Sequence, residues 1–291
     1  MVVKRNAAQI TGNVLNTVFL LALSFVMLYP LLYVIFVSLS DPVQLLGYRG
    51  IMWRPLGLDV TSYRIVLSNN KIAQGYLNTL FILVVGLVFN IVLTSFGAYF
   101  LSRKNVLFFK PIMILILITM YFSGGLIPLW LTVRDLGLYD SLWSLVLPVA
   151  ISTYNMILLR SYFTSIPESL VESVFIDGAG HFTVLFKIFI PLSLPAMAVM
   201  ILYYGVGHWN SYFNAMIYLR TPSKFPLQLI LREMLILGTS LDIKSMGVDY
   251  QQVEEGVKSA TIIVSTLPVL LIYPFLQKYF VGGLMLGSLK E

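Results

Sequence analysis

Three carboxylates, Glu168, Glu172 and Asp177, fall within ten residues, and no Lys or Arg occurs from Ser161 to Gly180. Glu168 and Glu172 stand four apart, so on a helix they share one face. An amphipathic helix that lies on anionic lipid is rich in Lys and Arg. This stretch carries the opposite charge, which points to a protein partner; the plain alternative is a solvated loop helix with no partner. A second set of side chains has the make-up of a sugar site, where aromatic faces meet amides and hydroxyls. It comprises Tyr121, Phe122 and Ser123, then Tyr154 and Asn155, then the run that holds Tyr203, Tyr204, His208, Trp209, Asn210, Ser211, Tyr212 and Asn214. Tyr and Trp near the end of a membrane span also fit an interfacial belt. Asn210 and Asn214 need hydrogen-bonding partners that lipid does not supply.

Enzyme chemistry has no candidate residues. The chain has no G-x-x-x-x-G-K-[ST] loop, no H-E-x-x-H and no G-x-S-x-G. His181 and His208 lie in different segments without metal-ligand spacing, and cysteine is absent, so no metal site is expected.

The elements that must carry these residues follow from local patterning. Ser165 and Glu168 have the spacing of a capping box, and Pro167 fits a first helical turn. Ile166, Leu170, Val171, Val174 and Phe175 recur on one face, with Glu168, Ser169, Glu172 and Ser173 on the other. Gly178 is placed to stop the helix in a left-handed cap. The spacing therefore predicts a short acidic amphipathic helix over 166–177, within a segment 165–178 that is not itself a span.

Everything around that segment is apolar. Of 291 residues, 58% are hydrophobic and only 11% charged, with a mean hydropathy of +0.86. A soluble domain carries roughly 25% charged residues, so this is an all-α polytopic membrane protein. Spans are expected at about 12–39, 74–101, 110–133, 141–160, 186–213 and 258–281, each able to supply the roughly 20 apolar residues of a crossing helix. Pro191 and Pro195 free backbone carbonyls near the start of the fifth. Lys4 and Arg5 precede an apolar run too long for a signal core, which reads as the first span.

Segments 41–71 and 220–257 are expected outside the membrane, the first with a short helix from Thr61, the second with a helix over Leu227–Leu237 that exposes Arg232 and Glu233. Lys4/Arg5 and Arg103/Lys104 flank spans closely, whereas long translocated segments are largely exempt from the charge rule, so both termini are expected inside. The net charge of +6 reflects such juxtamembrane residues, and no aromatic-basic platform for nucleic acid is present. The spans themselves lack the ionisable residues that ion-coupled carriers usually keep at mid-membrane. Any driving energy must enter from outside the chain.

Glu172-Ser-Val, three residues, Gly178, nine residues, then Ile188-Phe-Ile190-Pro191 resembles the E-A-A, x3, G, x9, I-x-L-P pattern of permease subunits of binding-protein-dependent ABC importers. Ser173, Val174 and Ile190 depart from that pattern. Ile176-Asp-Gly-Ala-Gly-His is similar to the carbohydrate-uptake branch, as in the smaller maltose permease. Phe122-Ser-Gly-Gly-Leu-Ile-Pro, Gly207-His-Trp-Asn-Ser and Tyr273-Pro-Phe-Leu-Gln-Lys-Tyr-Phe-Val resemble the LplC-type oligosaccharide permeases still more. The resemblance covers nearly the whole chain.

That resemblance implies a type I ABC importer permease of six transmembrane helices with a cytoplasmic coupling helix at 165–178. Glu168, Glu172, Asp177, Gly178, Ala179 and Gly180 would form the ATPase-coupling segment. The implied partners are a second homologous permease, two ATP-binding subunits that hold ATP and Mg, an extracytoplasmic solute-binding protein, an oligosaccharide and membrane lipids, in the bacterial cytoplasmic membrane. The tail from Gly287 to Glu291 would also reach toward the ATPases. Arg220, Lys224, Arg232 and Lys244 make the late outer loop basic, which fits an acidic, uronide-containing substrate as well as ordinary solvated charge. Tyr121, Ser123, Tyr154, Asn155, His208, Trp209, Asn210, Tyr212 and Asn214 are the substrate-pathway candidates. The competing readings are a stand-alone channel or ion-coupled sugar carrier, and a membrane scaffold or sensor.

Overall fold

The computed structural model describes residues 7–103, 106–236 and 250–288, so Lys4, Arg5, Lys104, Lys244 and the last residues of the tail, 289–291, lie outside the described residues. Among the described residues there are helices and turns and no strand. Three helices are long and apolar enough to cross a membrane, and there are six such segments if each of three bent helix pairs is one span. The chain divides into two units, Met1–Asn69 with Met234–Thr266, and Asn70–Glu233 with Leu267–Glu291.

In the first unit, α1 (Ala7–Ser38) is apolar around its whole circumference, and none of its most apolar window is buried within the chain. A helix of that kind belongs in lipid. Its end is held by a small cluster of Val37, Leu45 and Met52. Ser40 donates to the Phe36 carbonyl and accepts from Leu56 N–H, and Asp41 caps α2 (Pro42–Leu46) by accepting from the N–H groups of Val43 and Gln44. Trp53 stacks on Phe25 of α1 and meets Tyr29 at a tilt. The expected short helix is α3 (Thr61–Leu67). Asp59, just before it, has its carboxylate held below the usual range by the Thr61 hydroxyl and N–H. The first part of α14 (Tyr250–Ser288), up to Thr266, also belongs to this unit.

The second unit is built on α4 (Asn70–Ser102), an unbroken helix of 33 residues. Three further apolar segments of this unit are bent. Between α5 (Phe109–Tyr121) and α6 (Leu126–Asp135) the axis turns by 107°. The break falls at Phe122–Gly125, where Gly125 adopts φ +87, so the stretch 110–133 is two helices rather than one straight span. Two 3-10 turns, Leu142–Leu145 and Leu147–Val149, meet α7 (Thr153–Thr164) at 47°. Next come α8 (Glu168–Ile176) and α9 (His181–Val184), then a π turn over Leu185–Phe189 that leads into α10 (Ile190–Leu192). At Ser193 the axis swings by 85° into α11 (Leu194–Trp209). The π turn and the bend bracket Pro191, whose missing N–H breaks the helical ladder. Next come α12 (Phe213–Tyr218) and α13 (Leu227–Ile236), the latter in this unit up to Glu233, and the part of α14 from Leu267 belongs to it too.

Among the described residues, two buried clusters organise this unit. One joins Ala98, Tyr99 and Leu101 of α4 with Met156, Leu159 and Phe163 of α7, Val171 of α8 and Phe189. The Phe163 and Phe189 rings meet edge to face at 5.2 Å, a geometry worth about 0.5–1.5 kcal/mol beyond area burial. The other joins Ile82 of α4 with Val133, Leu145, Tyr218 and Leu229.

Candidate functional site

Helix α8 is shorter than expected and is capped differently. It begins at Glu168, with Pro167 as N-cap and no side-chain cap bond. The expected capping box does not form. Ser165 is the C-cap of α7 and donates its hydroxyl to the Tyr162 carbonyl at 2.7 Å, which takes it away from the next helix. The other end matches the expectation. Gly178 adopts φ +78, its N–H donates to Phe175 O at 3.0 Å, and Ala179 N–H donates to Val174 O at 3.1 Å. These are the two bonds of a Schellman cap, which needs a residue free to adopt the left-handed conformation.

The apolar face of α8 is only partly covered. Val171 is buried, and Ile166 and Val174 pack beside it. Leu170 and Phe175 remain exposed, and Ile176 is 85% exposed. Glu172 and Asp177 are exposed as well, as are Gly178 and Gly180, with Ala179 half-buried. The helix therefore presents carboxylates beside uncovered apolar side chains. Glu168 differs from the other two acids, because Arg103, the residue after the end of α4, comes within 4.0 Å of its carboxylate. The cation that the local sequence lacks comes from the chain just past α4. The Arg103 guanidinium also lies over the rings of Tyr99 and Phe189, at 5.2 and 4.6 Å. Past the Schellman cap, His181 Nδ1 is 2.8 Å from the Tyr99 hydroxyl, and its ring meets Phe175 edge-on at 5.0 Å.

A second polar centre lies further along α4. A cavity of about 380 Å³ is lined by Ser152, Asn155, Tyr203, Tyr204, His208 and Asn214, among others. Three of the substrate-pathway candidates, Asn155, His208 and Asn214, are thus brought together. Tyr154 is exposed, with its ring 6.5 Å from Tyr203. Tyr121 and Ser123 are exposed at the α5–α6 break and do not line this cavity. Trp209 is buried with Tyr76 at 6.3 Å, Asn210 is exposed, and Tyr212 lies under the Arg232 guanidinium at 5.8 Å.

The cavity walls are tied to α4 by residues that sequence reasoning does not single out. Asn90, fully buried, donates from Nδ2 to the carbonyls of Val149 and Ala150 at 2.8 and 2.9 Å. Those carbonyls are freed by the break before α7, and a broken helix at membrane depth is tolerated when a neighbour satisfies them. With its amide hydrogens spent, Asn90 offers Oδ1 to His208 Nε2 at 2.7 Å, so Nε2 carries the hydrogen of that bond. Gly86 makes room for the ring, because a Cβ there would sit 2.5 Å from Nε2. The Tyr204 hydroxyl is 2.7 Å from Thr94 and accepts from Ser152 N–H at 2.9 Å. The signal in the sequence is a stripe on α4 of Asn78, Ile82, Gly86, Asn90, Thr94 and Ala98, all buried. Its four-residue step of small and polar side chains is that of a packed helix seam.

The late loop is less basic in effect than its composition suggests. Lys224 pairs with Asp140 at 3.1 Å. The Asp140 carboxylate also accepts from the Thr221 hydroxyl at 2.6 Å and from the N–H groups of Thr221 and Arg220. Arg232 and Glu233, expected in solvent, are half-buried. Burial pushes the Glu233 carboxyl up, against the pull of Lys71 and Arg232. Among the described residues no cluster of His, Asp and Glu could hold a metal ion.

No family model matches the chain. Curated relatives match it along nearly its whole length. The polygalacturonan/rhamnogalacturonan transport system permease protein YtcP of Bacillus subtilis (strain 168) is 40% identical over 274 residues, 94% of this chain and 96% of that one. Protein LplC of the same organism is 36% identical over 282 residues, 96% of this chain and 94% of that one. Among solved structures, a chain of a bacterial ABC transporter involved in the import of the acidic polysaccharide alginate superposes with a TM-score of 0.89 at 32% identity. That match covers 95% of this chain and 99% of the other.

Proposed function

The chain belongs to the permease subunits of carbohydrate ABC transporters, and from that premise we propose that it is one half of the membrane pore of an importer for acidic oligosaccharides of the polygalacturonan, rhamnogalacturonan or alginate kind. Such a subunit transports and does not catalyse. A second permease completes the pore, two ATPase subunits bind ATP and Mg, and an extracytoplasmic solute-binding protein delivers the saccharide. The chain crosses the bacterial cytoplasmic membrane six times with both termini inside, three crossings being the bent pairs, and 41–71 and 220–257 lie outside.

Helix α8 is the coupling element in this reading. The single observation that carries it is a nine-residue helix, closed by a Schellman cap at Gly178, that leaves Glu172, Asp177, Leu170, Phe175 and Ile176 uncovered. Uncovered apolar side chains rimmed by charge mark a protein interface. Closure of the ATPase pair pushes on α8, and the bent segments move between inward-open and outward-open forms. The cavity at Asn155, His208 and Asn214 offers amides, hydroxyls and the Tyr203 ring along the saccharide path.

The test uses the purified importer in proteoliposomes. Loaded binding protein should stimulate ATP hydrolysis and uptake together, and Glu172→Lys or Gly178→Pro should abolish the stimulation or release the ATPases. Unchanged uptake in both variants would remove α8 from this role. Transport by the chain alone without ATP would favour a channel or an ion-coupled carrier. Uptake measured over neutral and acidic oligosaccharides decides the substrate class.

A further inference from the structure

Building on the coupling role of α8, we infer that α4 is the transmission rod between α8 and the polar cavity, and that Tyr99, Arg103, Asn90 and Thr94 are the positioning residues at its two working ends. Tyr99, in the last turn of α4, and Arg103, the residue that follows the helix, grip the two ends of α8. Arg103 meets Glu168 at the first turn of α8. Tyr99 meets His181, three residues past Gly178, and His181 in turn rests on Phe175 of α8. The start of α8 and the chain just past its cap are thus fixed to the last turn of α4 and the residue that follows it. Arg103 cannot swing away freely, because its guanidinium lies over both the Tyr99 and Phe189 rings.

Nine residues before Tyr99, on the roughly opposite side of the same helix, Asn90 holds the Val149 and Ala150 carbonyls and His208, and Thr94, five residues before Tyr99, holds Tyr204. At 1.5 Å per residue Asn90 is about 13 Å and Thr94 about 8 Å from Tyr99 along the axis. Between them α4 has no break and no proline. The segments that form the cavity walls are hinged instead, at 150–152 and at Ser193. A displacement of α8 is therefore carried without loss through α4 and is absorbed at the hinges, which reorients Ser152, Tyr204 and His208 around the cavity. Rigid elements that shift between two packings, with hinges beside them, are the ordinary material of such switching.

The experiment measures ATP hydrolysis and saccharide uptake in the same proteoliposomes holding the whole importer. Tyr99→Phe removes only the hydroxyl that meets His181. Uptake per ATP hydrolysed should fall about five- to tenfold, the effect of losing a coupling interaction of ordinary size, while hydrolysis continues. Thr94→Val, at the other grip, should give the same split. Arg103→Glu should do likewise, and Arg103→Glu combined with Glu168→Arg should recover much of the ratio. Thermal unfolding of each assembled complex separates this from a general loss of stability. Should a variant fail to assemble, Tyr99→Phe, the smallest change, decides. A constant ratio of uptake to hydrolysis in Tyr99→Phe and Thr94→Val overturns the inference. The coupling reading itself is checked separately: the chain has no cysteine, so Glu172→Cys can be crosslinked to a cysteine placed on the ATPase. Absence of any crosslink sinks the role of α8; a crosslink together with an unchanged ratio sinks only the role of α4.

Discussion

Asn90 Oδ1 and His208 Nε2 lie 2.7 Å apart, and the other end of the same amide is spent on the carbonyls of Val149 and Ala150. One side chain on α4 thus satisfies a buried imidazole and two part-buried carbonyls. Asn90→Ala leaves all three without it, and the loss of a buried group's partner costs about 1–3 kcal/mol. The variant should lose several degrees of thermal stability, and His208 should no longer be held at the cavity wall. Thermal unfolding of the purified permease pair checks this, and an unchanged transition would remove the network from any account of the cavity.

Tyr204 extends the argument to a single backbone group. Its hydroxyl accepts from Ser152 N–H, at the mouth of the break before α7, and also meets Thr94. Tyr204→Phe keeps the ring and removes the acceptor. Hydrogen exchange at the Ser152 amide should quicken markedly while amides in the middle of α4 stay as slow as before. Equal acceleration throughout would mean a global rather than a local role.

These residues also mark the boundary of what the sequence makes legible. The end of α8 is readable because it depends on a local constraint, a glycine at the one position where the chain must turn left-handed. The all-helical fold is readable because long apolar runs have no other economical structure in lipid. The start of α8 misleads, because Ser165 has the right spacing for a capping box yet belongs to the helix before it. Asn90, Thr94 and Gly86 are hard to see for a different reason. Each is a single small or polar residue in an apolar run, and its partner lies far away in the chain. The bends at 122–125 and 193 have visible causes in Gly124-Gly125 and in Pro191 and Pro195, but their angles depend on packing.

Asp140 makes a pH prediction whose sign follows from its partners. Its carboxylate is held well below the usual range, chiefly by the Thr221 hydroxyl, then by the N–H groups of Thr221 and Arg220. A depressed folded value means the stabilisation is fully present above the unfolded value of about 3.9 and is lost as pH falls through the folded one. Asp140→Asn should therefore be less stable than the wild type near neutrality, and the gap should narrow on acidification below about pH 4. Thermal unfolding of both proteins across that range is the check. A gap that stays constant with pH would assign the effect to shape rather than charge.

Gly178 allows the sharpest separation of fold from coupling. Its φ of +78 costs an ordinary L-residue about 1–2 kcal/mol, and Asn tolerates the region better than Ala. Space is not the obstacle, since a Cβ at this position meets nothing within 4 Å. The cost is purely conformational, and it falls on the cap that joins α8 to the chain leading to His181. Gly178→Asn should retain most ATP-driven uptake, whereas Gly178→Ala should lose roughly tenfold, the equivalent of about 1.4 kcal/mol at the cap. Uptake in the order Gly, Asn, Ala ties function to the left-handed cap. The reverse order for Asn and Ala would mean that side-chain size or polarity at the partner surface, and not backbone conformation, governs the position.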